Sequence, residues 1–137
     1  LSGSGTFNLT DLTPRSSIDN PSRYMSPGLS RFSSGPSSPW SGRFYTGSTF
    51  SISSGFGNAF QYNASTGSFS GSGVGVVYNP YIGSESLVLD STYVSGNFMT
   101  TYTVWYNSSF SSMGLIPGTY TYSWGSGANY GTIILKI

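Results

Sequence analysis

The sequence predicts an all-β domain, a β-sandwich or jelly roll of short antiparallel strands with a long Pro/Ser-rich arm near its N-terminus. Three observations carry this expectation. Aromatic and β-branched residues alternate with hydroxyl residues at a period of two, the signature of strands with one covered face. Gly, Ser, Pro and Asn clusters punctuate those runs as turns. No stretch carries the 3.6-residue apolar period of a long amphipathic helix. At 137 residues the chain is read as one domain, residues 1–137, with 13–42 as an extended arm or loop.

The C-terminal twenty residues are the clearest element. Tyr120, Tyr122 and Trp124 alternate with Thr119, Thr121 and Ser123. After the connection Gly125-Ser126-Gly127-Ala128-Asn129, Ile133, Leu135 and Ile137 share one face and Thr132, Ile134 and Lys136 the other. Two such arms joined by a Gly-rich link predict an antiparallel hairpin, with Pro117-Gly118 as the turn before it.

Taken from the start, Leu1 to Gly5 reads as a flexible lead and Thr6–Leu12 as a first strand with Phe7 and Leu9 on one face. From Thr13 to Trp40 the prolines 14, 21, 27, 36 and 39 interrupt a serine-rich run with no period, hence the expected arm. Arg15, Arg23 and Arg31 fall there against Asp19 alone. Strand signals resume at Phe44–Thr46 and Thr49–Ile52, then at Phe56, Asn58, Phe60 and Tyr62, while Phe69 sits in a Ser/Gly turn region. Val74, Val76 and Tyr78 alternate until Asn79-Pro80. Leu87–Leu89 and Thr92–Val94 follow, broken at Asp90-Ser91. Phe98–Tyr106 is the longest strand before the hairpin. It sets Phe98, Thr100, Tyr102, Val104 and Tyr106 against Met99, Thr101, Thr103 and Trp105. Ser108–Leu115 is expected to form one helical turn burying Phe110, Met113 and Leu115.

Composition narrows the function. Charged residues are 7% of the chain and aromatics 17%, so polarity comes from hydroxyls and backbone, and the chain is expected to fold. A net charge of +1 supplies no drive toward nucleic acid or an anionic membrane, and so weakly charged a surface favours self-association. The longest apolar run, Ile133–Leu135, is far below the roughly 20 residues that span a bilayer, so no membrane insertion is expected. Neither cysteine nor histidine occurs, which removes disulfides, the usual general base and the usual zinc ligands. The chain opens on Leu1 rather than Met, as expected after removal of a leader or trimming.

The carboxylates are Asp11, Asp19, Glu85 and Asp90. Glu85 and Asp90 are near enough in sequence to weigh as a catalytic or calcium-binding pair, but the preferred reading places them at exposed strand ends, and no catalytic residue, metal or cofactor is expected. Asn8, Asn63 and Asn107 each open an Asn-x-Ser/Thr triplet and are candidate glycan acceptors, although eight asparagines among so many hydroxyl residues give a few by chance. Trp40 and Trp105 are the candidate carbohydrate-stacking rings, but a place in the core is the preferred reading for such rings.

Three segments together resemble a recurrent pattern: Tyr93-Val94-Ser95-Gly96, Ser109 through Tyr120 with its Gly114-Leu115-Ile116-Pro117-Gly118, and Trp124-Gly125-Ser126-Gly127-Ala128-Asn129. With the opening Gly3-Ser4-Gly5-Thr6-Phe7-Asn8-Leu9-Thr10, about half the chain resembles the secreted bacterial PEP-CTERM-type surface protein domain, without its sorting tail. The resemblance implies export and a β-sandwich and carries over no functional residues. The expectation is an exported, non-enzymatic structural protein, secreted or on the cell surface. Its partners would be copies of itself in a filament or surface layer. A carbohydrate-binding or adhesive module with glycan partners is the alternative.

Overall fold

The computed structural model describes residues 1–36, 39–47, 49–52, 54–58, 62–63 and 67–137. Thirteen strands run through them: β1 (Ser2–Thr6), β2 (Thr13–Asp19), β3 (Tyr24–Ser26), β4 (Arg31–Ser34), β5 (Ser41–Thr46), β6 (Ser51–Ile52), β7 (Tyr62–Asn63), β8 (Gly67–Gly71), β9 (Val74–Asn79), β10 (Ser84–Asp90), β11 (Phe98–Trp105), β12 (Thr119–Trp124) and β13 (Gly131–Lys136). Helical structure among the described residues is limited to two 3-10 turns, Pro27–Leu29 and Gly127–Asn129, and no helix is long and apolar enough to cross a membrane.

The strands form three antiparallel sheets. A seven-stranded sheet has the order β2-β5-β10-β9-β4-β3-β7, and two three-stranded sheets have the orders β1-β11-β8 and β13-β12-β6. The large sheet is covered on both faces near its middle. On one face Met25, Phe32 and Val76 pack with Tyr122 and Leu135 of the β12–β13 hairpin, and with Phe56, Met113 and Leu115 from loops. Beside them Tyr45, Val74, Leu87 and Leu89 pack with Trp124 and with Met99 of β11. The two small sheets therefore lie over one face of the large one as a sandwich. On the other face Phe44, Val77 and Val88 are capped by Trp40.

Glycine makes room for two buried indole rings. A β-carbon at Gly73 would fall inside the Trp40 indole, and one at Gly131, directly opposite Trp124 in the ladder, inside the Trp124 indole. Each buried aromatic of this kind is worth roughly 1.5–3 kcal/mol of transfer free energy. Trp124 is further flanked by Phe50, stacked at 6.2 Å, and by Phe7 at 5.8 Å. Hydroxyls also cross the interior. Ser34 Oγ of β4 lies 2.6 Å from both Thr101 Oγ1 and Thr103 Oγ1 of β11, all three buried. This triad ties the large sheet to the β1-β11-β8 sheet.

The hairpin, β9 and β11 fall where alternation places them, and the hairpin buries its aromatic side as read. Several expectations are corrected. The stretch 13–42 is not an extended arm: it supplies β2, β3, β4 and the start of β5 to the large sheet. Its prolines sit at an edge strand, between strands or in the 3-10 turn, where no ladder N–H is required. The first strand is Ser2–Thr6, not Thr6–Leu12; Phe7 and Leu9 do pack toward the core, but from an irregular segment. Phe69 lies in β8, whereas Thr92–Val94 forms a turn. In 108–115 one helical turn closes, the Met113 N–H donating to the Ser109 carbonyl at 3.0 Å, and Met113 and Leu115 are buried as expected, but Phe110 is exposed. Of the run read at Phe56–Tyr62, Phe60 lies outside the described residues.

Candidate functional site

The four carboxylates are spent on structure. Asp11 accepts from the Ser126 N–H at 3.3 Å and from Asn129 Nδ2 at 3.0 Å, holding the hairpin connection against the N-terminal segment. Asp90 Oδ1 accepts from the Thr92 N–H at 3.0 Å and Thr92 Oγ1 at 2.7 Å. Asp19 accepts from Ser41 Oγ at 3.1 Å. Glu85 pairs with Arg31, whose Nε lies 2.8 Å away and whose guanidinium sits 4.9 Å from the centre of the Tyr78 ring. Glu85 and Asp90 stand near opposite ends of β10, about 17 Å apart at strand spacing, so the fold does not bring the carboxylate pair together. Among the described residues no cluster of three or more metal-ligating side chains forms.

The sequons part company. Asn8 is half-buried, and its Oδ1 accepts from both the Thr10 N–H at 3.0 Å and Thr10 Oγ1 at 2.7 Å, a local Asx turn. Asn107 is exposed after β11 with a left-handed φ of 53°. Asn63 belongs to β7, and the Ala64 and Ser65 of its triplet lie outside the described residues. The tryptophan platform is corrected. Trp40 is only 6% exposed and packs on Gly35 and Gly73 with Phe44, Val77 and Val88, so its face is not available to a sugar. Trp105 is half-buried against the core and its indole N–H is buried.

What faces outward instead is the back of the two small sheets. In β11 the outward residues are Phe98, Thr100, Tyr102 and Val104, with Phe98 70% and Tyr102 45% exposed. Ladder pairing sets Thr6, Ser4 and Ser2 of β1 on one side of this row and Ser70 and Ser68 of β8 on the other. The neighbouring hairpin turns Thr119, Thr121 and Ser123 outward, paired with Lys136, Ile134 and Thr132. Across these six strands Lys136 is the one charged side chain. Sequence alternation had already put Phe98 and Tyr102 on a common face; it did not say which of the two faces of β11 meets the core.

Between the small sheets the layer is interrupted. β1 ends one sheet and β13 the other, and no ladder hydrogen bond joins them. A groove of about 170 Å³ runs along this seam, walled by Leu1–Phe7 and Thr132–Leu135 and floored by Phe32, Val74, Met99 and Thr101. Among the described residues both walls are strand edges, so backbone N–H and C=O groups outside any ladder border an apolar floor. The outer layer thus sets a hydroxyl-and-aromatic face beside an open backbone edge. Comparison with family models, with curated proteins and with solved structures gives no match.

Proposed function

We propose that this chain is a non-enzymatic structural protein that assembles with copies of itself, outside the cell or on its surface. The observation that carries the proposal is the back of the two small sheets, a broad face with exposed Phe98 and Tyr102 amid Ser and Thr and with one charge, Lys136. Such a face meets a copy of itself without charge repulsion, and ring burial supplies the attraction. Tyrosine and phenylalanine are the residues that interfaces favour. The likeness of the two chain ends to PEP-CTERM-type domains supports placing the protein beyond the cytoplasm.

Light scattering and negative-stain microscopy of purified protein test the proposal. Ordered assemblies are expected, little affected by added salt, and the Phe98→Ser/Tyr102→Ser variant is expected to stay monomeric with its fold intact by circular dichroism. A wild-type chain that remains a monodisperse monomer at high concentration in several salts overturns the reading. A neutral-glycan-binding module is the second reading, favoured by the same observation, because Tyr102 and Phe98 offer exposed ring faces beside hydroxyls. Glycan-array binding lost in Tyr102→Ala, with no assembly by the wild type, would select it.

A further inference from the structure

We propose that β1 is exchanged between copies, so that the Ser2–Thr6 strand of one molecule completes the β11 edge of a second and forms the joint between them. The inference rests on the self-association proposed above and says which element makes it.

Among the described residues β1 pairs with β11 alone, in a ladder from Ser2↔Tyr102 to Thr6↔Phe98. The residues facing inward, opposite Thr101 and Met99, are Gly3 and Gly5, and the serines face out. Between Leu1 and Phe7, therefore, no β1 side chain enters the core. The groove along the seam is the space such side chains would have filled. β1 is held by backbone pairing and the partial burial of Leu1. A Gly/Ser strand without an apolar face has little to fix its register or its partner.

The contrast with β2 is informative. That edge carries Pro14, which has no N–H to offer, an exposed Arg15, and a register shift between Pro14 and Ser17. These are the usual protections of an open edge. β1 has none of them: no proline, no charged side chain, no bulge.

The chain just past β1 is clamped to its own molecule. The Phe7 N–H donates to Tyr93 Oη at 2.7 Å, the Leu9 N–H to Ser95 Oγ at 3.0 Å, and Trp124 Nε1 to the Asn8 carbonyl at 3.0 Å. The Phe7 carbonyl also accepts from the Gly96 N–H at 2.9 Å. Release therefore stops at Thr6, and Leu1–Thr6 reach about 20 Å when extended. The same ladder re-forms on the partner's β11, so exchange gives up no contact except at the hinge.

Ladder geometry supplies the test. Leu1 and Thr103 exchange both backbone hydrogen bonds, at 2.8 Å each. Counting along the ladder, Ser4 and Thr100 form a non-hydrogen-bonded pair, where Cα atoms approach to about 4.5 Å and a disulfide fits. Both side chains are exposed and the chain has no cysteine of its own. Ser4→Cys and Thr100→Cys are made as separate variants, one isotopically labelled, mixed at an assembling concentration and oxidised in a glutathione buffer. Mass spectrometry then counts the disulfides. The mixed disulfide is expected at least tenfold above either like-with-like product. A statistical ratio in material that microscopy shows to be assembled overturns the exchange and leaves self-association standing; failure of the wild type to assemble overturns the underlying reading instead. The double variant, oxidised when dilute to lock β1 onto its own β11, is expected to lose assembly and regain it on reduction. Assembly by the locked form overturns the exchange as well. If this pair does not close directly, a short bismaleimide joining the same two cysteines repeats both measurements.

Discussion

Replacing Tyr122 by Phe is expected to stabilise the protein, although it removes a polar group from a polar-rich chain. Tyr122 is fully buried, its ring edge-on to Phe32 at 5.6 Å, within the cluster formed by Met25, Phe56, Val76, Met113, Leu115 and Leu135. Its hydroxyl meets no hydrogen-bond partner among the described residues. A buried hydroxyl without a partner costs about 1–3 kcal/mol, and the oxygen-sized void left behind returns a fraction of that. A net gain of about 1–2 kcal/mol is expected. At about 2.1 cal/mol/K of unfolding entropy per residue, a chain of this length shifts its Tm by about 3.5 °C per kcal/mol, so the variant should melt some 3–7 °C higher. pH gives the argument a second handle. Burial raises the Tyr122 pKa far above the ordinary tyrosine value of 10.0. Above pH 10 the unfolded chain loses this proton and the folded chain keeps it, so the native state loses stability as pH rises. The advantage of Tyr122→Phe should therefore be constant below pH 10 and widen by about 1.4 kcal/mol per pH unit above it. Burial also raises Tyr24 and Tyr45, but both are common to the two proteins and cancel in the difference. Urea titrations at pH 7 to 11.5 measure the gap. A variant less stable than the parent at pH 7, or a gap that stays flat to pH 11.5, refutes the reasoning.

Other substitutions test other parts of the fold. Gly73→Ala drives a β-carbon into the Trp40 ring and should cost about 1–3 kcal/mol; restoration of stability in Gly73→Ala/Trp40→Leu, seen by thermal melts, would confirm that the clash is the cause. Ser34→Ala strips the shared partner from the buried Thr101 and Thr103 hydroxyls and should cost about 1–3 kcal/mol, whereas a neutral result in urea unfolding would mean the triad is not a tie between sheets. Gly3→Val places a side chain in the groove, where the nearest atom to an added β-carbon is Thr101 Cγ2 at 3.7 Å. It should raise stability by about 1 kcal/mol, and a drop in Tm would show that the seam is not open space.

The parts of the fold legible in the sequence are those where alternation and burial agree. β12 turns its three aromatic rings to one side, β13 turns Ile133 and Leu135 to that same side, and β11 separates Met99, Thr101 and Thr103 from Phe98, Thr100 and Tyr102. The segment 13–42 defeated the same logic for two reasons. β2 is an edge strand with only Ile18 partly covered, so nothing along it needs to be apolar. β4 buries serines, with Ser33 and Ser34 as inaccessible as Phe32 beside them, so the apolar-in rule finds no pattern to read. β1 is hidden by the opposite cause: its inward residues are glycines and carry no hydropathy signal. The core place preferred for Trp40 could not be located from the sequence, because its seat is made by Gly35 and Gly73, far apart in sequence and meaningless until the sheet brings them together. The outward row of Phe98 and Tyr102 was visible as a face. Its lack of surrounding charge became evident only once β1, β8 and the hairpin were placed beside it.

The division of the outer layer also bears on how the molecule breathes. With no ladder crossing from β1 to β13, opening one three-stranded half does not require breaking the other, and each can detach from the seven-stranded keel as its own cooperative unit. Amide exchange should then sort into three protection classes: slowest in β9 and β10 at the centre of the keel, intermediate and separately titrating in β11 and in β12–β13, fastest in β1. A protein of this design has a fault line from the start, and thermal motion uses it before anything else.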